Sequence, residues 1–567
     1  MYFMALATDY DGTLAEDGRV SDATIAALES FRETGRKLIM VTGRELPDLK
    51  RVFDRLDLFE KVVVENGALL YTPATEEERP LSLPPAQEFV AALEQRGVEP
   101  LSVGRSIVAT WEPHETTVLE VIHELGLELE IVFNKGAVMV LPSGINKASG
   151  LTAALAELRL APLNVVGVGD AENDHAFLTA SGLSVAVANA IPALKDRVDL
   201  VLDRPRGDGV QDLIGRLVGE EHTLTRNLRH SIRLGTADDG AEVSLQPNDV
   251  VLISGSSGIG KSTLATALTE RFVESGFQFC VLDPEGDYDE LENAITTGDA
   301  ENAPIVDEVL ELLDQPDENV VVNALALQVK ERPGFFVDLQ SKMASLRRQY
   351  ARPHWLILDE AHHLMPASRD GTSLALPDSD TGTIMITVHP DSIAPKALAN
   401  VKIVLALGPQ ADEVITRFCD AVGEAHPLNL SAPEGDKVLF WHRDEDGPRA
   451  ISVDRPRQSH KRHTRKYAEG HLDEQRSFYF RGPNADKNIR AHNLAIFVQI
   501  AEGIDDPTWE YHLRRGDYSR WFRDLIRDED LATETAQVEE DQALSPAESR
   551  RAVADFIRRR YTAPASK

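Results

Sequence analysis

Asp9 and Asp11 stand two residues apart in DYDGTL (Asp9 to Leu14), and a second phosphate-handling run, GSSGIGKS, fills Gly255 to Ser262. Carboxylates at the first spacing suit attack on phosphorus followed by proton transfer to the leaving oxygen. Asp9 is the expected nucleophile. Asp11 is the expected general acid, which afterwards activates water. An anionic nucleophile approaching an anionic phosphoester needs a cation, so Mg²⁺ is expected, held by Asp9, Asp11 and, far downstream, Asp170 and Asp174 of GDAENDHAF. Thr42 offers a hydroxyl to phosphoryl oxygens, Lys147 supplies positive charge, and Gly12 lets the backbone approach closely.

The glycine-rich run works by the opposite physics, wrapping backbone N–H groups around phosphates instead of opposing them with carboxylates. Gly255, Gly258 and Gly260 form the cradle, Lys261 reaches the terminal phosphates, and Thr263 completes the ATP-binding set. Ser262 is expected to hold Mg²⁺ together with Asp359, and Glu360 is the expected base that polarises the attacking water. Thr387, Val388 and His389 end a later apolar strand and suit sensing of the γ-phosphate.

These residues need strands to carry them. The run Met1 to Thr8 reads as a buried strand, Ser21 caps a helix carrying Ile25, Leu28 and Phe31, and Gly35 stops it. Leu38 to Val41, Val62 to Val64 and Val165 to Val168 are apolar strands that each end in polar residues. That pattern predicts a parallel α/β sheet with ligands at the strands' carboxyl ends. Val250 to Ser254 runs directly into the glycine-rich loop, and the next helix repeats Leu264, Leu268 and Phe272 up to Gly276. Trp355 to Leu358 is the buried strand before Asp359 and Glu360.

Residues 1–215 resemble the haloacid-dehalogenase (HAD) superfamily, in the branch of Cof-type and sucrose- or trehalose-phosphate phosphatases. DYDGTL, VTGR at Val41 to Arg44, Lys147, GDAEND and VAVANA at Val185 to Ala190 carry the likeness. It implies Asp9 as nucleophile, Asp11 as general acid/base, a cap inserted over about 72–142, and a small phosphorylated substrate such as a sugar phosphate. Within a P-loop ATPase domain expected at 225–455, the stretch from about Leu234 to Val453 resembles the HerA/FtsK-like P-loop ATPases, through the glycine-rich loop, VLDPEGDY at Val281 to Tyr288 and the Asp359-Glu360 pair. His389 departs from that group's usual glutamine. The resemblance implies ATP hydrolysis and assembly into homo-oligomers. The fold expected is α/β throughout the first two domains: a HAD-type Rossmann-like domain with a cap, then a P-loop NTPase domain. A mainly helical domain follows at 456–567.

Bulk properties bound the rest. The 567 residues exceed one ordinary core. The 59 basic and 93 acidic residues give a charge of −34, which repels nucleic acid over most of the surface. That balance argues against the alternative readings, a polynucleotide kinase-phosphatase or a nucleic-acid-translocating ATPase. No apolar run approaches a membrane span, and the two cysteines fit a reducing cytoplasm. Residues 203–239 read as a domain junction with an amphipathic piece at Val210 to Val218. Arg347, Arg348 and Arg352 are arginine-finger candidates or a solvated helix face. SHKRHTRKY, at Ser459 to Tyr467, is the most basic run and a candidate phosphate contact. Leu494, Phe497, Trp509, Trp521 and Phe522 read as a helical core, and Ser545 to Glu548 as a capping box.

Overall fold

Ala5–Thr8 is apolar on both faces, as a strand covered by helices on two sides must be, and it lies at the centre of an eight-stranded sheet. Lys37–Val41 and Val165–Gly169 flank it in parallel register, pairing Ala5 with both Lys37 and Val165. Lys61–Val64, Leu183–Ala186 and Leu200–Val201 extend the parallel set, and Leu69–Thr72 and Glu77–Pro80 close one edge antiparallel. The chain is described from a computed structural model over residues 2–561, excepting 135, 225–229, 257, 290, 369–381, 429, 458–476, 484–486 and 527. The basic run at 459–467 lies outside the described residues.

Asp22–Glu33 begins as expected, with Ser21 Oγ accepting the Thr24 N–H at 3.2 Å. Two domain limits move. The sheet edge at Glu77–Pro80 belongs to the main layer, so the inserted cap begins after Leu81 and not near 72. The cap itself is a four-stranded antiparallel sheet, in the order Ser102–Val103, Val108–Trp111, Ala137–Pro142, Leu129–Asn134, backed by the helices Gln87–Gln95 and Glu115–Leu125. The amphipathic piece expected in a junction is part of Arg206–Gly219, whose Val210, Leu213, Ile214 and Leu217 join the first core, as does Leu224. An apolar stripe of that width is buried wherever a neighbour is within reach, here the helix Asp22–Glu33.

An eleven-stranded sheet follows. Its parallel part runs Ile403–Leu407, Val250–Gly255, Gly382–Thr387, Trp355–Leu358, Phe279–Asp283, Val320–Asn323, Ile295–Thr297, and antiparallel strands from 232–245 and 438–453 complete it. Leu264, Leu268 and Phe272 pack from the helix Lys261–Glu274 onto this sheet.

Residues 1–457 form one compact unit and 458–567 another. In the second, Phe478–Phe480 pairs with Ile489–Ala491, and the helices from Leu494 to Tyr561 enclose Phe497, Trp509, Trp521 and Phe522. The capping box forms: Ser545 Oγ accepts the Glu548 N–H, and Glu548 accepts the Ser545 N–H at 2.9 Å. Among the described residues no helix is long and apolar enough to cross a membrane.

Candidate functional site

The parallel sheet delivers Asp9 and Asp170 from adjacent strands, and the Asp9 N–H donates to Val168 O at 3.0 Å. Asp9, Asp170 and Asp174 bring carboxylate oxygens within 4.8 Å of one another, all buried. Lys147 enters from the start of Lys147–Leu158 and donates to Asp9 Oδ1 and Asp174 Oδ1, each at 2.6 Å. Asp174 Oδ2 is further fixed by the N–H groups of Asp170 and Ala171 at 2.8 Å.

Asp9 and Asp174 share one ammonium, and the buried Asp170 carboxylate lies beside them. Burial pushes the Asp9 carboxyl upward; Lys147 pulls it down, and Asp174 and Asp170 push it up again. Burial works against the Lys147 charge too, but Asp174 and Asp9 outweigh it and hold its pKa above the usual lysine value. Such a surplus of hard, buried oxygen donors fits a Mg²⁺-sized cation.

Asp11, also expected among the metal ligands, does not bring its carboxylate into this group. Its carboxylate faces Arg44, accepting from Nε and Nη2 at 2.6 Å each, while Arg44 also pairs with Asp48. The two Arg44 hydrogen bonds hold the carboxylate there, and Gly12, at φ 85°, shapes the turn that follows it. Thr42 is buried, and its Oγ1 accepts the Arg44 N–H at 3.2 Å. Arg44 belongs to the VTGR motif, but nothing in that motif announces its grip on Asp11.

The cap closes over the same floor. Glu65 is buried, and its carboxylate accepts the N–H groups of Arg105 and Ser106 from the cap at 2.9 Å each. Glu65 and Asn66 both hold positive φ, near 50°. A methyl group added at Gly43 would lie 3.6 Å from Met139 Sδ and 3.7 Å from Asn173 Nδ2, so cap, Thr42-Gly43 turn and acidic loop converge there.

In the second sheet, Gly255, Thr387, Asp359 and Asp283 align along one carboxyl edge through the pairs Ser254–Thr387, Leu358–Met385 and Leu282–Leu358. Gly258 and Gly260 hold φ 74° and 104°, a conformation that shapes the loop before the helix and that a side chain would resist. Lys261 Nζ donates to Gly255 O and Ser256 O at 3.0 Å. Ser262 and Thr263 occupy the first turn of the helix Lys261–Glu274.

Asp359 is buried, and Glu360 follows it at φ 43°, a strained angle for a residue with a side chain. His362 Nδ1 lies 3.1 Å from Thr387 Oγ1 and 3.4 Å from Glu360 Oε2. His389 contributes its N–H to Thr387 Oγ1 at 3.0 Å. Asp283, unassigned from the sequence, is wholly buried and accepts three N–H groups, from Glu285, Gly286 and Tyr288. Burial, then Asp359 and Asp287, push its carboxyl up to about 7. The finger candidates separate: Arg347 and Arg352 are buried in structural roles, donating to backbone carbonyls, and only Arg348 is exposed.

Residues 6–120 and 116–214 match the haloacid dehalogenase-like hydrolases, and residues 241–385 match the AAA ATPase domain. The second match is broader than the HerA/FtsK-like group. A phosphoglycolate phosphatase of Methanothermobacter thermautotrophicus is 31% identical over 224 residues, 38% of this chain and 99% of that protein. A phosphoglycolate phosphatase of Haloarcula marismortui is 31% identical over 217 residues, 37% of this chain and 95% of that one. A solved haloacid dehalogenase-like hydrolase from Bacteroides thetaiotaomicron is 18% identical at TM-score 0.33, covering 38% of this chain and 99% of that one.

Proposed function

Because the chain belongs, through its first 214 residues, to the haloacid dehalogenase-like hydrolases, we propose that it cleaves a small phosphomonoester with Mg²⁺ while its AAA ATPase domain binds and hydrolyses ATP. The observation that carries the phosphatase reading is the buried Asp9–Asp170–Asp174 cluster with Lys147 clamped across it.

Asp9 forms the bond to phosphorus as the bond to the leaving oxygen breaks, and Asp11 gives that oxygen its proton. Water then attacks the aspartyl phosphate, Asp11 takes the water's proton, and the Asp9–phosphorus bond breaks to release phosphate. To do this Asp11 must exchange Arg44 for the leaving oxygen. Lys147 holds Asp9 in position and neutralises part of the charge. A cation held by Asp9, Asp170 and Asp174 would offset the repulsion between phosphoryl oxygens and carboxylates. In the other site Ser262 and Asp359 would hold one beside ATP, Lys261 would bind its phosphates, and Glu360 would orient water.

The substrate class is a small phosphorylated metabolite: the first relatives are named for phosphoglycolate, and the HAD resemblance points to sugar phosphates. The test is a panel of both classes run on the wild type and Asp9→Asn, with Mg²⁺ present and chelated. Hydrolysis should need Asp9 and the cation. Turnover surviving in Asp9→Asn would overturn the assignment.

A further inference from the structure

The two sheets meet at their starting ends. We propose that the ATPase half positions the phosphatase nucleophile, with His354 and Arg352 as positioning residues that act through Asn164 on the strands bearing Asp9 and Asp170. This rests on the phosphatase reading above.

The seam is a continuous, buried polar chain. His354 precedes the strand that ends at Asp359, and Gln278 precedes the strand that ends at Asp283. Gln278 N–H donates to His354 Nδ1 at 2.9 Å, so Nε2 carries the ring proton and donates to Asn164 Oδ1 at 3.0 Å. Asn164 Nδ2 donates to Tyr2 O at 2.9 Å, and Asn164 O accepts the Met4 N–H at 2.7 Å. Asn164 therefore grips the lead-in to Ala5–Thr8 from both sides while itself leading into Val165–Gly169. Those strands end at Asp9 and Asp170.

Arg352, wholly buried, clamps the same joint. Nη1 donates to Gln278 Oε1 and Leu313 O at 3.0 Å, and Nη2 reaches across to Arg159 O at 2.8 Å. Arg159 returns an ion pair to Asp314. Tyr2 Oη donates to His230 Nδ1 at 3.0 Å, since His230 Nε2 must donate to Gly182 O. Apolar packing follows the same line: Tyr350 joins the first core, and Leu163 packs against the second sheet's core.

Four strands leave this seam, two in each direction, and a misregistered base is transmitted along a hydrogen-bonded strand to its tip. The path from Ala5 to Asp9 spans about 13 Å at roughly 3.3 Å per residue. A displacement near 1 Å at a reacting group can cost about a hundredfold in rate.

The experiment measures hydrolysis of p-nitrophenyl phosphate with Mg²⁺ by the full chain, well below each variant's own Tm. It compares the wild type with His354→Ala, His354→Gln, Asn164→Asp and the His354→Ala/Asn164→Asp double variant. Asn164→Asp keeps the acceptor for His354 and removes the donor to Tyr2 O, so it tests the joint even where His354→Ala fails to fold. The expected result is kcat lowered about tenfold or more at unchanged KM in each alanine or aspartate variant. The double variant should be no worse than the poorer single one, and His354→Gln, which retains a donor, should recover most of the rate. Wild-type turnover with unchanged kcat in both single variants, or additive losses, would overturn the positioning role alone. A wild type that turns over no phosphoester would overturn the phosphatase reading and this role together.

Discussion

Lys147 and Glu360 illustrate how much one side chain can be asked to do. Lys147 is the only cation among the described contacts of Asp9 and Asp174, and Glu360 keeps a left-handed backbone next to a buried aspartate. Glu360→Gln should bind ATP as the wild type does and hydrolyse it about a hundredfold more slowly, measured as phosphate release at saturating ATP. Lys261→Ala should lose nucleotide affinity in a direct binding titration and leave phosphoester hydrolysis intact. Equal loss of both activities would mean that the sites are not separable. At this scale the sequence was informative wherever chemistry is local: DYDGTL, GDAEND and GSSGIGKS bring their groups together within a few residues. It was silent where partners are remote. Arg44 meets Asp11 across 33 residues, and Asp283 becomes a site residue only because its strand lies beside that of Asp359.

Among the elements, the cap shows how an inserted layer is tied to the sheet beside it. Glu65, accepting two cap N–H groups, is the buried charged contact that ties the cap loop to the layer below, beside the exposed Arg105–Glu78 pair. Each hydrogen bond to such a charged acceptor is worth about 1.5–3 kcal/mol, so Glu65→Ala should loosen the cap. The expected outcome is a raised KM for phosphoester with a smaller change in kcat, together with faster amide exchange at Arg105 and Ser106. Unchanged KM would show that the cap is held elsewhere. Strand and helix positions were legible from apolar runs, from Ser21 and from the Ser545 box, because periodicity and caps are local signals. The cap's first residue was not. Glu77–Pro80 is exposed and polar, and only its pairing with Leu69–Thr72 makes it part of the main sheet. The helix Arg206–Gly219 was readable as amphipathic, but nothing in its own residues named its partner.

For the molecule as a whole, the seam makes a pH dependence. Burial, with Arg352, His230 and Arg347 nearby, pushes His354 down to about 3, whereas an unfolded histidine titrates near 6.5. Folding is therefore favoured fully above about pH 6.5. As pH falls from there toward 3 the unfolded chain takes a proton that the folded one refuses, at a cost of up to about 1.4 kcal/mol per pH unit from this residue. Urea unfolding between pH 7 and 4.5 should show a steeper acid loss in the wild type than in His354→Gln; parallel curves would remove His354 from the account. None of this was visible in the sequence, because Tyr2, Asn164, Arg352 and His354 are single residues with no repeat or spacing to announce them.

One consequence follows from strands that depart from a shared base. Asp9 and Asp170 stand at the tips of one pair and Asp283 and Asp359 at the tips of the other, a strand's length away from the joint, so a molecule released at one proposed site is expected to pass through solvent on its way to the other. A scavenging enzyme added in excess should intercept any metabolite common to both, leaving no protected flux.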